Sequence, residues 1–131
     1  MKGKENMKDK EYNSPKRIKG NRYRIDGDTA HILLQNGSEC VVDTADFYML
    51  DLAHYTWTLD HGDPKQAYVR TTKELPNGKK RPVLIQHKIM GVADGRYCGM
   101  VVDHINGDHL DNRRFNLRLA TVKQNNGNRH K

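Results

Sequence analysis

The sequence predicts an α+β chain of about one domain, and three observations lead there. Strand-forming runs are punctuated by Asn-Gly pairs, a short stretch carries a helical stripe of apolar residues, and the last third orders itself as strand, loop, strand and helix start. At 131 residues the chain is long enough for one modest core of its own. Hydrophobic residues make up 35% and aromatics 7%, lean enough that part of the chain is expected outside that core.

Residues 1–20 carry seven Lys or Arg against three acids with almost no apolar anchor, which reads as a flexible basic arm. Residues 21–92 are expected to form a region of hairpins and a helix that supports DNA contact, and residues 93–131 a separate motif. Within the first region, R-Y-R-I-D-G-D-T-A-H-I-L-L-Q-N-G-S-E-C-V-V-D (22–43) reads as one hairpin turning at Asn36-Gly37, a pair suited to a type I′ turn. Asp43 and Thr44 are candidate caps for a helix over 45–54, whose Ala45, Met49, Leu52 and Ala53 share a face and should point into the core. Trp57 is expected to anchor that helix to the sheet. A second hairpin follows over 67–87, with Pro76-Asn77-Gly78 at its tip. Its basic residues include Arg70, Lys79 and Lys80, so it could meet phosphates, although Lys also protects exposed strand edges. His87-Lys88-Ile89-Met90 reads as a helical turn closed by Gly91.

Composition narrows the function classes. The balance of 23 basic against 16 acidic residues leaves a net charge of +7, suited to a polyanion and above all to nucleic acid. A basic surface that merely aids solubility remains the plain alternative. Cys40 and Cys98 form no C-x-x-C pair, so neither a disulfide framework nor structural zinc is expected, and both read as buried thiols. No apolar run approaches the roughly 18 residues of a membrane span. A soluble, intracellular, cytoplasmic protein with no membrane partner is the expectation.

The informative stretch is V-V-D-H-I-N-G-D-H-L-D-N-R-R-F-N-L-R-L-A-T-V-K-Q-N-N (101–126). A strand should end on Asp103 and His104, whose side chains would face opposite sides unless the strand bends. The Asn106-Gly107 turn directly afterwards permits that bend. Leu117-Arg118-Leu119-Ala120 is a second strand. Thr121 and Gln124 then form a capping box, so a helix starts near Val122 and carries Asn125 in its first turn. His104 and Asn116 lie 12 residues apart and Asn116 and Asn125 nine. A hard divalent cation prefers oxygen donors; Asp103 and the Asn125 amide would supply two and leave room for water and phosphate. Loop-capping Asp and Asn are common enough to be the plain reading of each residue taken singly. A calcium loop is excluded because Ile105 stands where an oxygen ligand is required.

The pattern D-H-x-x-G-x-x-L-D-N-R-x-x-N-L-R-x-A-T…Q-N resembles the HNH endonucleases, specifically the small phage and intron-type branch that ends its motif on Asn. The resemblance is dense over 102–126 and looser over the preceding segment from 41. It implies a ββα-metal nuclease core preceded by the hairpins and short helix. It further implies that His104 is the general base, that Asp103 and Asn125 hold one Mg²⁺ or Mn²⁺, and that Asn116 braces the loop and orients the His104 ring. Arg113, Arg114 and Arg118 would grip phosphates, with Asn112 a loop brace. The substrate would be double-stranded DNA, hydrolysed to 5′ phosphate and 3′ hydroxyl by a phage-encoded enzyme acting in the host cell. Imidazole titrates near neutrality and suits the proposed base role. One site per chain makes nicking natural, and a homodimer is one route to cutting both strands. His109 and His87 receive no assigned role, and His130 is expected to be inert.

Two other classes compete. A DNA-binding protein that kept the fold without cutting has no physical need for an acid beside the imidazole. An RNA-binding factor would want exposed aromatics for stacking, whereas the six Tyr, two Phe and one Trp fall mostly at expected core positions.

Overall fold

Strand formation in this chain is governed by tight turns at glycine, and the structure, a computed structural model, shows how. It describes residues 20–60, 67–92, 96–97 and 100–121. The basic arm before Gly20, Cys98, the helix expected from Val122, Asn125 and His130 all lie outside the described residues.

The first sheet is a three-stranded antiparallel meander, β1 (Tyr23–Asp26), β2 (Thr29–Leu33) and β3 (Glu39–Asp43). The sequence reading expected one hairpin here and found two strands. The extra turn is Gly27-Asp28, with Gly27 at φ 62° in the position where type II′ hairpins take glycine. The second turn is not the expected type I′. Gly37 alone has positive φ (89°), and the Gly37 amide donates to the Leu34 carbonyl at 3.0 Å, so the tip is a three-residue loop with glycine at the left-handed position. Alternation along β2 and β3 buries Ala30, Ile32, Cys40 and Val42.

Next come α1 (Thr44–Phe47) and a 3-10 turn over Tyr48–Leu50, which ends on Asp51 in the left-handed region at φ 52°. This corrects the expected ten-residue helix and its apolar stripe. The buried residues are Asp46, Phe47 and Leu50, while Ala45, Met49 and Ala53 are exposed. The helix tightens after four residues, so a period of 3.6 no longer describes which side faces inward. Trp57 is buried as expected, and its indole nitrogen donates to the Leu50 carbonyl at 2.9 Å. Asn21 clamps the same point, accepting the Trp57 amide at 2.7 Å and donating to the Trp57 carbonyl at 2.7 Å.

The second sheet joins β4 (Thr58–Leu59), β5 (Val69–Glu74) and β6 (Lys80–Leu84). Its ribbon turns at Pro76-Asn77-Gly78, with Gly78 at φ 86° and the same amide-to-carbonyl bond, Gly78 to Leu75 at 2.9 Å. α2 (Ile85–Met90) follows and is closed by Gly91 at φ 72°. The third sheet pairs β7 (Arg96–Tyr97), β8 (Met100–His104) and β9 (Leu117–Thr121). One core cluster gathers Ile32, Val42, Leu50, Trp57, Val69 and Ile85 together with Val102 and Leu117 of the third sheet. The described residues thus form a mixed α and β architecture of small sheets and short helices, and no helix among them is long and apolar enough to cross a membrane.

Candidate functional site

β8 ends on the two residues singled out by the sequence. Antiparallel register sets Asp103 opposite Arg118 and His104 opposite Leu117, so the acid and the imidazole leave the ladder on opposite faces. Both are 3% exposed. Arg118 Nε donates to Asp103 Oδ2 at 3.1 Å, a cross-strand ion pair whose arginine side chain remains 46% exposed.

Directly after His104 the chain makes a third glycine-centred tip, Ile105-Asn106-Gly107, with Gly107 at φ 79° and its amide donating to the His104 carbonyl at 2.9 Å. Asn106 Oδ1 accepts the Asp108 amide at 2.8 Å, an Asx turn that Asn adopts readily. Asn116 closes this loop from below. Its Oδ1 accepts the Asn106 amide at 3.0 Å, and its Nδ2 donates to Asn106 Oδ1 at 3.0 Å and to the Asp111 carbonyl at 2.8 Å. The hydrogen bonds of its carboxamide therefore go to the loop.

The imidazole is met by a different residue. Asn112, fully buried, places Oδ1 2.7 Å from His104 Nε2. Sequence reasoning treated Asn112 as a brace and Asn116 as the ring's partner; two Asn four positions apart in one polar loop offer no periodicity to tell them apart. Two further rings stand at His104. His109 lies 5.0 Å away, centroid to centroid, and Tyr68 lies 6.1 Å away; Tyr68 and His109 stack at 4.3 Å and 10°. His109 Nδ1 donates to the Ala67 carbonyl at 2.9 Å. Nothing in the sequence marks Tyr68, because it comes from the residue just before β5, far along the chain.

Burial pushes the His104 imidazole below the ordinary value of 6.5, with His109 adding to the depression, while the Asn112 bond and the nearby Asp103 and Asp108 work the other way. The net effect favours a neutral ring with a lone pair available.

The three arginines expected to grip phosphates each hold a carboxylate. Arg113 binds Asp111 through Nε at 2.8 Å and Nη2 at 2.9 Å, and this fork holds the Asp111 carboxyl below its usual range. Arg114 forks onto Asp46 at 2.9 and 3.0 Å and donates to the Ile89 carbonyl at 3.0 Å. With Arg118 on Asp103, all three brace the fold, and each keeps part of its surface in solvent. On the ribbon, Arg70 pairs with Asp60, whereas Lys79 and Lys80 stand exposed at the tip.

The loop is fastened to the first sheet by backbone. The Val41 amide donates to the Leu110 carbonyl and the Asn112 amide to the Val41 carbonyl, both at 2.8 Å, making a parallel bridge between Val41 and Asp111. Asp43, the residue before α1, spends its carboxylate on the Arg114 amide at 2.9 Å and makes no side-chain cap.

Among the described residues, no three His, Cys, Asp or Glu converge as a metal site. Of the two residues expected to hold a cation, only Asp103 lies among the described residues, and it offers one carboxylate, paired with Arg118. That is compatible with a cation of the magnesium type, which binds through one or two carboxylates and keeps water and phosphate in the rest of its shell.

Fold and site together define a small α+β protein whose polar chemistry is gathered in one carboxyl-terminal strand and loop. A family model described as HNH endonuclease matches residues 95–127, about a quarter of the chain, and this segment is similar to that family. No curated protein and no solved structure matches the chain. The match points to nuclease-type function in general terms.

Proposed function

We propose that the protein is a metal-dependent HNH endonuclease that hydrolyses phosphodiester bonds in double-stranded DNA. The observation that carries this reading is the coincidence of the family match over 95–127 with a buried His104 whose depressed basicity suits a neutral proton acceptor.

His104 takes a proton from the water that attacks phosphorus, a role that requires the ring uncharged. Asp103 and Asn125 would hold one Mg²⁺ or Mn²⁺. When bound, such a cation stabilises charge developing on the departing 3′ oxygen. Arg118, anchored on Asp103 yet half in solvent, is positioned by that anchor and can offer its remaining N–H groups to a phosphate. Asn116 keeps the turn after His104 in one shape through its three hydrogen bonds. Lys79 and Lys80 at the ribbon tip add phosphate contacts that position the duplex without reading bases.

A second reading, DNA binding without cleavage, is favoured by one fact: His104 is only 3% exposed. Supercoiled plasmid incubated with the protein and Mg²⁺ or Mn²⁺ separates the two. The endonuclease reading expects open-circle or linear DNA from the parent and intact plasmid from His104→Ala and Asp103→Ala. Equal DNA binding by all three proteins with no breakage would establish the binding-only reading instead.

A further inference from the structure

A groove of about 730 Å³ opens between the ribbon, α2 and the segment around Trp57, a size that suits one small ligand. Its floor follows from strand register. Thr71 pairs with Val83 and Lys73 with Arg81, and opposed residues of an antiparallel ladder set their side chains on one face. That face is buried at Val69 and Thr71 and reaches solvent at Lys73, so it runs from core to open cation within one strand. Half-buried Tyr55, Val83 and Val92 give the groove apolar walls, and Trp57 lines it while staying buried. Arg70, Lys73, Arg81 and Lys88 line it as well. Against these four stands one carboxylate among the described lining residues, Asp60, and it is paired with Arg70. The groove shares no described lining residue with the site at β8 and β9.

Apolar walls beneath a basic rim match a ligand that is flat and apolar in one part and anionic in another, which is the make-up of a nucleotide. In a duplex the faces of the bases cover one another, and a protein meets only phosphates, sugars and base edges. An unpaired nucleotide, by contrast, can lay a base face against Tyr55 and Val83 while its phosphates reach Lys73 and Lys88. We propose that this groove binds an unpaired nucleotide of a DNA strand, so that the protein favours DNA carrying a single-stranded segment over unbroken duplex. That the strand is DNA rests on the endonuclease reading above; the fit to an unpaired nucleotide rests on the shape and charge of the groove. An acidic peptide offers related chemistry, but the same ribbon carries Lys79 and Lys80 exposed at its tip and the chain a net charge of +7, a spread of charge that suits continuous phosphates. The groove and the candidate site also share a strand. Tyr68, whose ring lies 6.1 Å from that of His104, immediately precedes β5. Lys73 follows on that strand, roughly 17 Å further along at the usual rise, so a DNA strand passing the imidazole can set a nucleotide a few positions away into the groove.

Trp57 is the sole tryptophan of the chain, and covering the groove changes the surroundings of its indole, so its emission reports occupancy. The full chain, without divalent cation so that no strand is cut, is titrated with a thymidine octamer, with an intact duplex, and with the same duplex carrying a bulge. The octamer and the bulged duplex are expected to change Trp57 emission, whereas the intact duplex binds and leaves it as it was. Lys73→Gln with Lys88→Gln alters two exposed side chains and leaves the core alone. This double variant is expected to bind the octamer about tenfold more weakly, with the salt slope of log affinity reduced by about 1.4, and to hold intact duplex nearly as before. Emission that responds to intact duplex as strongly as to the octamer, or a Trp57 that stays silent with the octamer, overturns the proposal. Displacement of the octamer by polyglutamate at equal charge also overturns it, in favour of an acidic polypeptide. A protein that responds as expected and leaves plasmid intact with Mg²⁺ or Mn²⁺ upholds the groove and removes only the endonuclease reading. One that cuts plasmid while Trp57 stays silent loses the groove and keeps that reading.

Discussion

At the scale of single residues, the site works by placing ordinary groups in unusual confinement. His104 is surrounded by Asn112, His109 and Tyr68 and resists charging because its imidazolium would lose water. A base must be neutral to act, so cleavage should persist below pH 6.5 and fall away only as pH drops through the depressed value of the folded ring. Stability has the same sign. Between 6.5 and that lower value the unfolded chain binds the proton and the folded one does not, so stability declines as pH falls through the window. Initial rates and denaturant midpoints across pH 5 to 8 check both; an acid limb centred above 6.5 would contradict them. The strand that ends on Asp103 and His104 was legible in the sequence because β-forming residues run up to that pair and an Asn-Gly turn follows. Asn112 was not, since the loop holds several Asn and which one reaches the ring depends on Val41 and Cys40, some seventy residues earlier.

At the scale of elements, three loops share one construction: Gln35-Asn36-Gly37, Pro76-Asn77-Gly78 and Ile105-Asn106-Gly107, each with glycine at positive φ and its amide bonded three residues back. In each, the Asn side chain accepts the amide two residues on, at 2.8 to 3.0 Å. No neighbouring atom crowds Gly78 or Gly107, so alanine at either costs only backbone strain, about 1 kcal/mol. Gly78→Ala and Gly107→Ala should therefore lower the denaturant midpoint alike, while Gly107→Ala alone slows cleavage, because its turn begins at His104. The ribbon allows a complementary test. Lys79→Glu with Lys80→Glu should weaken DNA binding and reduce the salt slope of log affinity by about 2 without lowering the single-turnover rate at saturating protein. These turns were readable from Asn-Gly pairs, although the type of turn was not, because only the left-handed position demands glycine. Asp26-Gly27-Asp28 carried the same kind of signal for the first hairpin. By contrast, β4 is two residues long and too short to show any alternation, and α1 stops before a helical stripe can develop.

At the scale of the whole molecule, the charged loop has no core to stand on by itself. Val102 and Leu117 join a cluster whose bulk comes from Ile32, Val42, Leu50, Trp57, Val69 and Ile85. Arg114 ties the same loop to Asp46 and to the Ile89 carbonyl. A peptide of residues 93–131 should accordingly show no stable structure by circular dichroism or amide dispersion, whereas the full chain should unfold in one transition. A folded peptide would separate the two halves after all. The α+β class and the succession of hairpin, short helix, ribbon, helical turn and paired strands followed from local signals, apart from β1, β4 and β7, but this long-range seam did not, because backbone bonds between distant segments leave no mark in composition or periodicity.

That seam has a practical side for anyone building chimeras. Val41 holds Leu110 and Asn112 through its own main chain, so no side-chain substitution on a recipient scaffold can imitate it. A graft spliced at residue 93 would leave behind the strand whose backbone seats Asn112 beside His104, and a transplant that keeps that contact has to bring β3 along.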